Sequence, residues 1–110
     1  GPDGAVRVQR SVTQAKEERG MLSGWASQIN TVEVRLSNLG PQDRTVQVTE
    51  RVPVSEIDKV KIEVDAAATH ERGKPDNNGL VRWKVELPAF GRVPLRLVYV
   101  IRKHGDVVGI

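Results

Sequence analysis

Side chains capable of catalysis are few in this chain, and their spacing predicts no active site. The chain has two histidines, His70 and His104. Neither has a carboxylate or the other histidine at a spacing typical of metal ligands. The serines lack the glycine-flanked turn that exposes a nucleophile, and the phosphate-binding patterns GxGxxG and GxxxxGK do not occur. We therefore expect no enzyme activity, no catalytic residue, no metal site and no cofactor.

Glu50 is the acidic residue whose position most invites a chemical role. Alternation over residues 45–52 points its side chain inward, where an unpaired carboxylate is costly. One interpretation makes Glu50 a cation ligand, or half of an acid/base pair with Asp58 or Asp65, which requires carboxylates about 5 to 10 Å apart. The other places it at a sheet margin, satisfied by an arginine or by backbone N–H groups. We favour the second, because the neighbouring Pro53 belongs at edges, strand starts or bulges.

Trp25 is the first candidate for contact with a ligand. It follows the segment MLSG at the start of a predicted strand, where an exposed ring could stack on a sugar or insert into a partner. Arg19 is its basic neighbour in this hypothesis. The alternative makes Trp25 a core residue that covers the open end of the fold, and we favour that alternative.

Val98 and Val100 are the second candidate surface. They lie on the nominally outer face of the last predicted strand, whose inward face is also apolar. Apolar residues on both faces indicate either a central strand covered twice or a patch against which a neighbouring domain sits.

The charge pattern argues against nucleic acid as a partner. The net charge is +3, but outward positions such as Glu33 with Arg35 and Lys61 with Glu63 interleave opposite signs. The local basic excess near the C-terminus lacks the interleaved aromatic residues that stack on bases.

Period-two alternation predicts the elements that position these residues. We expect an all-β fold of about seven strands, in one domain over residues 1–110. The strongest patterns cover residues 80–87 and 92–101, with an inward series in each strand. Those inward residues are Val81, Trp83, Val85 and Leu87, and then Val93, Leu95, Leu97, Tyr99 and Ile101. Further strands are predicted at residues 6–12, 21–37, 45–52 and 60–64, and a short final ribbon at 106–110.

Local signals predict the connections. The segment TQAKEERG, residues 13–20, has no apolar face and is expected to be a loop or turn. Ile29 breaks parity, which predicts either a bulge near Asn30 or an early partner on the other face of the sheet. Residues 65–72 favour a turn or two of helix. The DNNG sequence at 76–79 fits a glycine turn better than a calcium loop, because Asp76 stands nearly alone.

The ends and the composition add limits. Cysteine is absent, so no disulfide is expected, and no apolar run approaches the length of a membrane span. Gly1 and Pro2 resemble a protease-cleavage scar, which predicts an excised domain of a larger protein.

Four segments resemble the C-terminal region of the bacterial mucoidy-inhibitor family, a domain of unknown function. They are the strand that ends at Asn38, the ERVPVS element at 50–55, the NGLVRW element at 78–83 and the closing LPA…LRLVYVI. The resemblance implies an immunoglobulin-like or related antiparallel β-sandwich, as a C-terminal fragment without catalytic residues to carry over. It also implies that the upstream half of the family's region is missing here.

The leading hypothesis is therefore a non-catalytic interaction or structural module at the C-terminus of a larger bacterial protein. Its expected partner is a protein or the remainder of the parent chain, with a homodimer through a strand edge as one form. The alternative is a carbohydrate-binding β-sandwich that acts on envelope or capsular polysaccharide. The family resemblance makes the cell envelope one expected location.

Overall fold

The computed structural model describes residues 5–17 and 24–105. The described part of the chain contains six strands. They are β1 (Val6–Glu17), β2 (Trp25–Asn38), β3 (Arg44–Arg51), β4 (Val60–Val64), β5 (Leu80–Leu87) and β6 (Arg92–His104). The fold is all-β, as predicted. Residues 18–23 and 106–110 lie outside the described residues, and with them Arg19, the Met21 start of the second strand and the predicted final ribbon.

The strands form two antiparallel sheets. Sheet A has the order β1-β2-β6-β4, and sheet B pairs β3 with β5. The predicted strands at 80–87 and 92–101 are therefore not hydrogen-bonded to each other, because β5 belongs to sheet B while β6 lies at the centre of sheet A. Their inward side chains meet across the core instead.

The core confirms the alternation of the C-terminal strands. Every second residue of β5 is buried, and so are the central inward residues of β6. The core residues from the two sheets and the strand ends are Val32, Val34, Leu36, Val52, Val81, Trp83, Val85, Leu87, Leu95 and Leu97. Since both sheets contribute, this cluster is what holds them face to face.

Two local predictions for the N-terminal hairpin are wrong. The first is the loop at TQAKE, because β1 continues to Glu17 and pairs with β2 as far as Ser27. The second is the bulge near Asn30, because the register runs through Asn30 without an extra residue on either side. The side chain of Asn30 instead points into the core and is 1% exposed. It occupies an inward position at which alternation predicts an apolar residue.

The connections follow the local signals more closely. Residues Ala66–Ala68 and His70–Arg72 form short 3-10 turns within the predicted helical stretch. Asp76 Oδ1 accepts hydrogen bonds from the N–H groups of Asn78 and Leu80. These bonds and Arg82 hold the pKa of Asp76 below its usual value. Gly79 has φ +82°, and a Cβ there would collide with the carbonyl oxygen of Val52, so the segment is a glycine turn.

Candidate interaction site

One side of the sandwich is covered by the chain that connects β4 to β5. In this connection, residues 65–79, Thr69 Oγ1 donates to the carbonyl of Asp65 at 2.7 Å and accepts from the N–H of Val98 at 3.1 Å. On sheet B, Trp83 Nε1 donates to the carbonyl of His70 at 2.9 Å. We call this the closed side, because the connection is tied to a strand of each sheet.

The opposite side of the sandwich carries the free edges of β1 and β3. Leu39 donates its N–H to the carbonyl of Ala5, so the odd-numbered residues of β1 direct their backbone groups toward β2. The even-numbered residues from Val6 to Lys16 therefore direct their N–H and C=O groups away from the sheet. We call this row the β1 edge. No described strand pairs with it.

The β1 edge lacks several of the features that protect free strands, although it carries the inward-pointing Arg10 and also Lys16. It belongs to a strand of 12 residues without proline or glycine, and the ladder with β2 has no bulge. Beside it, Val8 is 58% exposed and Val12 43% exposed, although they share the inward face with Val6. Alternation in β1 therefore does not produce burial, because the two-stranded sheet B is too narrow to cover the outermost strand of sheet A.

Arg10 and Glu50 connect the two sheets on this open side. Arg10 Nη2 lies 3.0 Å from Glu50 Oε1, and Arg10 Nε donates to Oε2 at 3.0 Å. The Glu50 side chain is 10% exposed, whereas that of Arg10 is 52% exposed. The hydrogen bond and the charge of Glu50 raise the pKa of Arg10 above its usual value. This geometry is the structural interpretation of Glu50, a carboxylate satisfied by an arginine at a sheet margin.

Trp25 lies at the far end of sheet A, at the first residue of β2. The ring packs edge-on against His104 at 5.3 Å between centroids, and Lys61 Nζ lies 5.0 Å from the ring centroid. Trp25 is half-buried. Neither sequence alternative describes it fully, since the ring is neither in the core nor a bare platform. Arg19, its predicted partner, lies outside the described residues.

Val98 and Val100 differ from each other. Val98 is 7% exposed, and the connection on the closed side binds both of its backbone groups. Val100 remains half-buried. Of the two valines, Val98 is therefore buried on the nominally outer face, whereas Val100 keeps part of its side chain exposed.

Asp65, one of the two carboxylates considered as a partner of Glu50, takes a structural position. Asp65 Oδ1 accepts from the N–H of Ala68 and so caps the first 3-10 turn. Among residues 5–17 and 24–105, no group of three or more histidine, aspartate or glutamate side chains is arranged to hold a metal ion. No helical segment in the described part of the chain is long and apolar enough to cross a membrane.

Sequence reasoning missed the β1 edge as a candidate site. The sequence signal for this edge is the alternation over residues 6–12. That alternation predicts a strand, but it does not predict that the strand continues through the charged residues to Glu17. The strand order that leaves it unpaired has no signature in the sequence.

Comparison with known proteins identifies the family. No curated protein and no solved structure matches the chain. The model of the family described as "Domain of unknown function (DUF4139)" matches residues 1–103, nearly the whole length. The chain therefore belongs to the DUF4139 family.

Proposed function

We propose that this chain is a non-catalytic interaction module whose binding element is the β1 edge, and that its occupant is β1 of a second copy. The observation that carries the proposal is the row of outward backbone groups beside the exposed Val8 and Val12. A strand added to such an edge satisfies the free N–H and C=O groups and removes apolar surface from water.

The charge pattern of β1 supports a second copy as the occupant. In a two-fold antiparallel pair with the axis at Val12, Arg10 lies opposite Gln14 and Val8 opposite Lys16 of the partner strand. No like charges oppose each other between residues 8 and 16 in this register. An axis at Arg10 places that arginine opposite itself, which is unfavourable. The axis at Val12 also makes hydrogen-bonded pairs of the even-numbered residues, as the edge requires.

The absence of cysteine permits a direct test of this register. Val12→Cys places two thiols at the axis with Cα atoms about 5.5 Å apart, within the range for a disulfide. Under mild oxidation we expect rapid dimeric cross-linking of Val12→Cys, and slower cross-linking of the matched variant Ser11→Cys. Sedimentation of the unmodified chain should show reversible dimers with a dissociation constant of about 1 to 100 μM.

A proline variant provides the second test of the β1 edge. Val12→Pro removes an N–H that points away from β2, so it should abolish dimers while the β1–β2 ladder persists. Monomeric sedimentation of the unmodified chain, with equal and slow cross-linking of both cysteine variants, would contradict the proposal. The edge would then be left to the remainder of the parent chain.

Carbohydrate binding at Trp25 is the alternative function, and it has weaker support. A half-buried ring with Lys61 near one face offers less area for stacking than an open platform. We expect the Trp25 indole NMR signal to remain unchanged when neutral polysaccharide is added at millimolar sugar. A saturable shift of that signal would favour the alternative.

The finer family assignment remains part of the proposal. Resemblance supports a C-terminal module of a bacterial mucoidy-inhibitor protein, associated with the cell envelope. The two facing antiparallel sheets support an immunoglobulin-like relationship. The strand order differs in one respect, because the last strand, β6, occupies the place that the fifth strand takes in immunoglobulin domains. An experimental structure of a longer chain would test both assignments.

A further inference from the structure

The outer face of sheet A, which points away from sheet B, carries a groove of about 420 Å³. It lies across the three adjacent strands β1, β2 and β6 and is formed by side chains, whereas the β1 edge is a row of backbone groups. Its lining includes Arg7, Gln9, Arg35, Ser37, Arg92 and Pro94. Three of these six residues are arginines, and we call this feature the arginine groove.

The strand register brings the three arginines together. Arg7 lies opposite Ser37, and Ser37 lies opposite Arg92 on its other side. Strand spacing therefore puts the Cα atoms of Arg7 and Arg92 about 10 Å apart, with Arg35 about 7 Å along the middle strand from Ser37. Long arginine side chains can converge on one ligand from these positions.

The other arginines of this face are paired with acids. Arg96 Nη2 lies 3.3 Å from Glu33, its direct cross-strand neighbour, and Arg102 Nη1 lies 3.3 Å from Glu63. Arg7, Arg35 and Arg92 are exposed, and among the residues the structure describes they form no ion pair. The acid nearest along this face, Glu33, is paired with Arg96. Three adjacent cations without a paired acid raise the local positive potential, and a bound anion would offset their mutual repulsion.

We propose that the arginine groove binds a ligand with two or three closely spaced oxyanion groups, carboxylate or phosphate. The planar guanidinium fork donates paired N–H groups that match both groups, and such charged hydrogen bonds are stronger than neutral ones. The Ser37 hydroxyl and the Gln9 amide supply further donors between the arginines. The lining includes no aromatic ring on which a base could stack, which favours a compact anion over nucleic acid.

An NMR titration with citrate and, separately, with pyrophosphate tests the arginine groove and distinguishes the two kinds of oxyanion. At constant ionic strength we expect saturable shifts confined to amides around residues 7, 35, 37 and 92. Arg35→Gln should weaken binding about tenfold, the loss of one charge-assisted hydrogen bond. Arg35→Lys should weaken it about threefold, because the charge remains while the fork is lost.

Arg51→Gln is the matched control. It removes one exposed arginine from β3, on the other sheet, and should change affinity less than twofold. Equal weakening by Arg35→Gln and Arg51→Gln, or unsaturable shifts at all basic residues, would overturn the proposal in favour of diffuse attraction. Tighter binding of a single-stranded oligonucleotide than of either probe would overturn it too. The titrations are carried out in the monomeric Val12→Pro background, because Arg7 lies opposite Glu17 of the partner strand in the proposed dimer. Failure of the dimer then does not affect this result.

Discussion

The two long sides of the sandwich are finished in different ways. On the closed side, the connection of residues 65–79 donates and accepts hydrogen bonds at Val98 in sheet A and at Trp83 in sheet B. On the open side, the side chains of Arg10 and Glu50 join the sheets, and the β1 edge has no described partner strand.

The two sides differ in how their backbone groups are satisfied. The closed side satisfies its buried backbone groups from within the chain, as stable sheet margins generally require. The open side leaves backbone groups and the apolar residues Val8 and Val12 to solvent or to a partner. Interaction is therefore expected on the open side, and stability on the closed side.

Trp83→Ala should have the largest effect, because it breaks the closed side at its anchor. Trp83 lies in the core and is 4% exposed, and its indole N–H donates to the carbonyl of His70. We expect the free energy of unfolding to fall by about 3 to 5 kcal/mol, measured by urea denaturation. An unchanged unfolding midpoint would contradict the assigned role of Trp83.

Thr69→Val should have an intermediate effect, because it removes one hydrogen bond of the closed side. Its buried hydroxyl accepts from the N–H of Val98, and the isosteric valine leaves that donor unsatisfied. A loss of about 1 to 3 kcal/mol is expected, with faster amide exchange at Val98. Thr49→Val, on the exposed face of β3, is the control and should change stability by less than about 0.5 kcal/mol.

Arg10→Met should have the smallest effect of the three and tests the open side. It leaves the Glu50 carboxylate, 10% exposed, without its cation, at a cost of about 1 kcal/mol, because water reaches this margin through the half-exposed Arg10 position. Glu50→Gln should cost only about 0.5 kcal/mol, since Arg10 is half exposed and can be hydrated. Both variants are measured by urea unfolding at protein concentrations low enough to avoid dimers. If Glu50→Gln lowered the free energy of unfolding more than Arg10→Met, the conclusion that Glu50 is the partner that depends on the ion pair would be wrong.

Much of the fold was predictable wherever one strand face meets the core. The alternation of Val60, Ile62 and Val64 predicted β4 with its observed bounds, and β5 was predicted equally well. Asn30 shows a limit of prediction from alternation. An amide at an inward position looks like a break in the apolar pattern, although the backbone continues the ladder. The loop predicted at TQAKE was wrong for a related reason, because the hydrogen bonds of a ladder form without an apolar face.

The candidate surfaces were less predictable. Trp25 and Val98 stand out by residue type, yet their contacts with Lys61 and with Thr69 join residues that are distant in sequence. The arginine groove was not visible at all, because Arg7 and Arg92 become neighbours only through the register of three strands.

Local sequence patterns are enough to specify the all-β class, the inward faces of the C-terminal strands and the glycine turn at 76–79, and they contain no recognisable catalytic motif. These properties depend on residues a few positions apart, whose side chains alternate or bend the backbone locally. The strand order, the pairing of Arg10 with Glu50, the free β1 edge and the arginine groove arise only when the sheets are assembled. These features join residues that are far apart along the chain, and the packing of one sheet on the other, not local pattern, selects which of them meet.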